Sequence, residues 1–164
     1  MAKMILCTDE DNGLGYQNTI PWYSKDDFQH FKTSTIDSII VMGFNTWKSL
    51  PKKPLPSRLN IVLVSRPYTE RNDTEYGSNV LFLSQDKLTD IINNNPECII
   101  IGGLWTYLQA KPFVTEIIKS TVKGTYNCDV FFDVNKECPD FYVAHSEVLN
   151  DGTLVEYYIK DNNV

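Results

Sequence analysis

Several features that would narrow the function at once are missing from this chain. Its four cysteines (Cys7, Cys98, Cys128 and Cys138) form no CxxC pair and no metal-like spacing with the two histidines. That speaks against a disulfide scaffold or a zinc module and for reduced thiols, and no metal is expected. Basic residues are outnumbered, 15 Lys and Arg against 21 Asp and Glu, for a net charge of -6. No basic face is available for a phosphate backbone, so a nucleic-acid partner is excluded. No apolar run approaches the roughly 20 residues that span a bilayer. The start, MAKMILCTDEDNG, turns acidic after a short apolar run, unlike a signal peptide. The cytoplasm is the expected compartment. Two nucleotide signatures are absent as well: Gly13-Leu14-Gly15 meets Asn18 at the third glycine position of GxGxxG, and there is no P-loop.

What is present reads as one α/β domain over residues 1–164, with 42% hydrophobic and 22% charged residues, near globular averages. Buried-strand runs occur at Met4–Cys7, Ser38–Met42, Asn60–Ser65, Val80–Leu83 and Cys98–Ile101. Helical spacing occurs between them, at Ser24–Thr35 with Ser24 as a cap, Asn45–Leu50, Ser84–Asn94 and Leu104–Gln109. Phe141–Leu149 and Thr153–Lys160 flank Asn150-Asp151-Gly152, a hairpin signal. Strands apolar on both faces and alternating with helices predict a mostly parallel central sheet covered by helices on both faces. A C-terminal antiparallel hairpin extends it.

In such sheets, ligands lie outside the carboxyl ends of the strands. Met42-Gly43, Val64-Ser65-Arg66 and Ile101-Gly102-Gly103 each end a strand on glycine or a small polar residue. Any one of them reads as an ordinary loop start. Three on one edge point to an extended, phosphate-bearing ligand. Near the first helix, Ser24-Lys25-Asp26-Asp27 fits a capping arrangement, in which Asp26 and Asp27 compete equally. Asp27 stands beside Phe28 and one turn before Phe31, on the apolar face, where a carboxylate needs a reason to be.

Pro21-Trp22, followed by Asp27, Phe28, Phe31 and Lys32, begins a series of segments. Val41–Trp47, Leu55–Asn60, Val64–Arg66, Ile101–Gly103 and Asp129–Phe132 continue it. In order and spacing these segments resemble the successive signatures of dihydrofolate reductases, over nearly the whole chain.

The resemblance implies reduction of 7,8-dihydrofolate to tetrahydrofolate with NADPH, antifolates as inhibitors, and a monomer. It places the pocket carboxylate at Asp27, where an amino group and a ring N–H of the pterin bond both its oxygens. Trp22 would sit near the water that delivers the N5 proton, and Ser120, with Thr121 as the alternative, would bond the aspartate. Arg58 would grip the α-carboxylate of the glutamate tail, bidentate as lysine cannot be. Phe28, Phe31, Lys32, Leu50 and Leu55 would wall the substrate. Ile5 and Ile101 would offer carbonyls, and Cys7 and Tyr107 would lie between substrate and cofactor. On the cofactor side come Gly15, Asn18 and Ile20 in a loop over residues 9–23 that closes on the nicotinamide. Gly43, Asn45 and Thr46 would hold the pyrophosphate, with Gly102-Gly103 joined by a cis peptide. Val64, Ser65 and Arg66 would meet the adenosine 2′-phosphate.

Two places depart from the pattern. Phe44 stands where many bacterial relatives carry arginine, which leaves Arg66 and Ser65 as the main expected contacts to the 2′-phosphate and predicts a reduced NADPH preference. Leu104 and Trp105 replace a small residue and, in some relatives, an arginine; Trp105 stacks on adenine or packs on the sheet. A non-catalytic scaffold of the same fold has no physical need for Asp27, Trp22, Thr46, Arg58 and Gly102-Gly103 together. A reductase for a riboflavin-pathway pyrimidine has no need to join Asp27 to Arg58.

Overall fold

The computed structural model describes residues 1–65 and 77–163. Its elements, in order, are β1 (Lys3–Thr8), β2 (Gly13–Gly15), α1 (Lys25–Thr35), β3 (Ile39–Gly43) and α2 (Phe44–Ser49). β4 (Leu59–Val64), β5 (Val80–Ser84), α3 (Leu88–Asn94), β6 (Ile99–Gly102) and α4 (Leu104–Ala110) follow. The chain ends with β7 (Glu116–Thr121), β8 (Val130–Phe131), α5 (Val134–Glu137), β9 (Phe141–Val148) and β10 (Leu154–Lys160). Eight strands form one sheet in the order β5-β4-β3-β6-β1-β7-β10-β9. It is parallel from β5 to β7, and β10 runs antiparallel to both β7 and β9. The expected architecture is the observed one.

Period-two alternation explains how a sheet apolar on both sides sorts its residues. Met4, Leu6, Val41, Ile61, Leu63 and Ile100 face Leu88, Ile91 and Ile92 of α3 and Tyr107 and Ala110 of α4. Their neighbours Ile5, Ile40, Met42, Val62, Val64, Ile99 and Ile101 face the other way, towards Phe31 of α1 and Phe44 and Trp47 of α2. Each fully buried aliphatic side chain contributes about 1.5–3 kcal/mol, and Met4, Ile40, Met42 and Ile100 are fully buried.

Local chemistry sets the helix ends. Ser24 caps α1, accepting from the Asp27 N–H at 3.0 Å, with Asp26 and Asp27 in the first turn against the helix dipole. The expected helix over Ser84–Asn94 is divided: Ser84 starts a 3-10 turn over Gln85–Lys87, and α3 begins only at Leu88. The apolar pattern does not reveal β7, because Glu116, Lys119, Ser120 and Thr121 make four of its six residues polar. Lys119 and Ser120 are buried, and Lys119 Nζ reaches Asn12 Oδ1 at 3.0 Å.

Parallel order sends the ends of β1, β3, β4 and β6 to one edge. There Gly102 of β6 stands level with Met42 of β3.

Candidate active site

The face that carries Ile5 also carries Cys7, and α1 covers that face. The Cys7 thiol therefore lies near the Asp27 carboxylate and the Trp22 indole. Burial, and then the Asp27 charge, push the thiol far above its usual range, so it stands there as a neutral donor. Ser120 lies level with Cys7 on β7, next to Val155 of β10. By alternation Thr121 points to the opposite face, which leaves Ser120 as the hydroxyl on the Asp27 side.

Asp26 is engaged elsewhere. Its Oδ2 accepts from the Asp151 N–H at 2.9 Å, in the turn between β9 and β10. Ser24 Oγ, besides capping the helix, donates to Asp151 Oδ2, and this bond and the Thr153 N–H hold Asp151 below the usual carboxylate value. The hairpin thus fixes the start of α1 and engages Asp26 rather than Asp27.

Arg58 is 6% exposed. Its Nε donates to the Pro56 carbonyl at 2.9 Å and its Nη1 to Thr35 Oγ1 at 3.0 Å. Neither bond uses Nη2. Burial lowers the guanidinium from its usual value, yet arginine stays charged. Its support comes from the end of α1, since Thr35 Oγ1 in turn donates to the Phe31 carbonyl at 2.8 Å. Phe31, Leu50 and Leu55 lie partly buried against one cluster. Phe28, by contrast, is half exposed and stacks on the exposed Tyr23 with ring centroids 5.4 Å apart. Lys32 is exposed in the last turn of α1.

Beside this corner lies a recess lined by missing side chains. A Cβ on Gly43 would approach Thr106 Oγ1 to 3.0 Å, and one on Gly103 would approach Thr46 Oγ1 to 3.4 Å. On Gly102, whose φ is +126°, it would meet Tyr107 Oη at 3.1 Å. The Gly102–Gly103 peptide is cis, as the sequence reading expected. Tyr107 is buried, with its hydroxyl 2.8 Å from the Ile5 carbonyl and 2.9 Å from the Ile101 carbonyl. Burial, then the neighbouring Cys7, keep this phenol protonated. Close backbone, small hydroxyls and few charges suit an extended dinucleotide, so the residues fit NADPH. Lys48 Nζ stands 5.2 Å from the centre of the Phe44 ring. Asn45 and Ser65 are exposed and Val64 is buried at the end of β4, while Arg66 lies outside the described residues. Leu104 and Trp105 open α4, where Trp105 is 43% exposed, so its ring is not a core side chain.

Asn18 has a φ of +63° and Ile20 is exposed. Gly15 accepts from the Asp129 N–H at 2.9 Å, and Asp129 Oδ2 accepts from the Gln17 N–H at 3.0 Å. Trp22 is 9% exposed under Tyr126, ring centroids 5.6 Å apart. The sequence reading missed Asp9 and Tyr126. Asp9 was visible as an acid opening an Asp-Asn-Gly turn, whereas nothing local marks Tyr126.

The model of the family described as "Dihydrofolate reductase" matches residues 1–159. The chain belongs to the dihydrofolate reductase family. It is 31% identical over 158 residues to the dihydrofolate reductase of Ureaplasma parvum, covering 96% of each chain. It is 30% identical over 164 residues to a protein of Mycoplasmoides gallisepticum called segregation and condensation protein A, covering 99% of this chain but 26% of that one. The solved dihydrofolate reductase of Enterococcus faecalis, complexed with NADP(H) and RAB-propyl, superposes with a TM-score of 0.81. That match covers 99% and 97% of the two chains at 22% identity and so bears on the fold. Among the described residues, no helix is long and apolar enough to cross a membrane.

Proposed function

We propose that Asp27 orients and helps protonate the pterin in the reaction of this family. The chain reduces dihydrofolate to tetrahydrofolate with NADPH. The observation that carries the role of Asp27 is its place beside Cys7, while Asp26 is engaged by the hairpin turn.

The chain's own residues divide the work. The two oxygens of Asp27 accept from a ring N–H and the amino group of the pterin, a paired contact that fixes the ring. Its negative charge makes a proton at N5 more favourable, and the Trp22 indole helps place the water that delivers it. Cys7 spans the two, so thiol, indole and carboxylate keep one arrangement. The free Nη2 edge of Arg58 takes the α-carboxylate of the glutamate tail. Phe31, Leu50 and Leu55 face the aminobenzoyl ring, and Phe28 with Lys32 forms its outer rim. NADPH supplies the hydride that reaches C6 of the substrate. Gly43, Asn45, Thr46, Gly102 and Gly103 are the groups that would hold its pyrophosphate, with Ser65 and Arg66 at the 2′-phosphate. The segment carrying Gly15, Asn18 and Ile20 covers the site and excludes water.

One domain over residues 1–164, acting as a monomer in the cytoplasm, completes the reading. Every group named comes from a single chain. The test is NADPH oxidation in the presence of dihydrofolate, followed by loss of ultraviolet absorbance. Oxidation that does not depend on dihydrofolate overturns the reading, and sedimentation tests the monomer.

A further inference from the structure

Asp9 follows β1 almost wholly buried, at 1% exposure, with no counter-cation in hydrogen-bond contact among the described residues. Its Oδ1 accepts from the N–H groups of Asp11 at 2.9 Å and Gly13 at 2.8 Å. Its Oδ2 accepts from the Tyr126 N–H at 2.9 Å and the Cys128 thiol at 3.5 Å. Burial alone raises a carboxyl; here the donors from Gly13, Tyr126, Asp11 and Cys128 outweigh it and hold the group below its usual value. So many donors around one carboxylate join two segments distant in sequence. Glu10 N–H to the Gly124 carbonyl, at 3.0 Å, and Val122 N–H to the Thr8 carbonyl, at 2.9 Å, flank the junction. Residue 126, whose N–H is held, is also the one whose ring covers Trp22. Trp22 thus lies between Cys7 on its inner side and Tyr126 on its outer side.

We propose that Asp9 is a positioning residue for proton delivery, acting through Tyr126: it fixes the backbone of residue 126, and the Tyr126 ring then holds the Trp22 indole in register with Cys7 and Asp27. The inference rests on the role proposed above for Trp22 and Asp27. Among the described residues the Tyr126 hydroxyl bonds only the Lys123 carbonyl, at 3.2 Å, so the ring and not the hydroxyl performs the task.

The test is the pH profile of kcat/KM for dihydrofolate, with thermal melting alongside. Tyr126→Ala removes the ring and keeps the N–H that Asp9 holds. It should lower kcat/KM about tenfold, within what a small misplacement costs, and move the falling limb of the profile to lower pH. Tyr126→Phe should behave as the natural protein. Asp9→Asn puts an amide donor against the Tyr126 N–H and should move the limb as Tyr126→Ala does. The two changes together should do no more than the larger one alone, because they act through one contact. If Tyr126→Ala leaves the limb in place while Trp22→Phe and Asp27→Asn displace it, Asp9 and Tyr126 serve stability only and the inference falls. Equal damage from Tyr126→Phe and Tyr126→Ala also overturns it. If Trp22→Phe and Asp27→Asn leave the profile unchanged, the proposed role of that pair fails and takes this inference with it. Because Tyr126 is 37% exposed, its truncation leaves the core intact even if Asp9→Asn does not fold.

Discussion

The corner around Asp27 and the recess around Gly102 adjoin on one sheet edge but are made in opposite ways. The first is made of side chains: a carboxylate, a thiol, an indole and a buried guanidinium, each held by named partners. The second is made of side chains that are absent, where even a methyl group would crowd Thr106, Thr46 or Tyr107. A site of the first kind is lost by removing atoms and a site of the second by adding them. The corner should therefore be sensitive to changes of charge, and the recess to changes of volume.

The largest effect expected from breaking that contrast is at Asp27. Asp27→Asn keeps the shape and loses the charge, so the rate at neutral pH should fall about 10²–10⁴-fold, the range for one acid–base group. It should recover partly in acid, where solvent protonates N5 directly. Cofactor affinity should stay near native, and Asp26→Asn should be mild; near-native turnover of Asp27→Asn at pH 7 to 8 rules the assignment out. Next comes Arg58→Leu, which should weaken dihydrofolate and glutamate-bearing antifolates by roughly 2–4 kcal/mol, as for one partner of a buried charge pair. Small inhibitors without the glutamate should bind unchanged, and an equal loss for both classes means that Arg58 only supports Pro56 and Thr35.

On the other side of the comparison, Gly102→Ala adds one methyl group to a residue at φ +126°, 3.1 Å from Tyr107 Oη. A strained backbone of this kind costs about 1–3 kcal/mol. The melting temperature should drop and the KM for NADPH should rise more than that for dihydrofolate. The reverse order of KM changes would place the cofactor elsewhere. Arg66→Ala should reduce the preference for NADPH over NADH by about one to two decades, the worth of one charge-assisted contact. An unchanged ratio in steady-state kinetics with both cofactors would transfer that role to Lys48, whose ammonium stands over Phe44. The smallest effect concerns Cys7. Its thiol is held far above the usual value by burial and by Asp27, so at pH 8 almost no thiolate forms. Iodoacetamide at that pH should leave Cys7 unlabelled and the activity intact, and Cys7→Ala should cost about threefold, since a thiol is a weak donor. Rapid alkylation of Cys7 with loss of activity would contradict its partly buried, neutral state.

Much of this was legible along the chain. Apolar runs such as Ser38–Met42 and Cys98–Ile101 mark strands buried on both faces, because a parallel strand leaves neither side in water. Glycines at positions 43, 102 and 103 mark backbone that something must approach closely. Ser24 marks a helix start, since a cap acts within three residues. Signals of this reach lie inside a short window of sequence, and physical chemistry within that window suffices to read them.

Other features were decided only by contacts that join distant positions. Sequence favours Asp27 over Asp26 only by its apolar neighbours; the bond that engages Asp26 comes from the Asp151 N–H, 125 residues away. Lys119 and Ser120 make β7 look like a surface segment until β1 and β10 enclose it. The ring of Tyr126 reaches Trp22 only because Asp9 anchors its backbone 117 positions away. The sequence by itself determined which faces are apolar and where the backbone lies bare, because hydrophobic period and glycine freedom are local properties. Which carboxylate the hairpin turn engages, and which ring lies against the Trp22 indole, depended on tertiary structure, since such contacts need both partners within a few ångströms and only the closed chain brings them there.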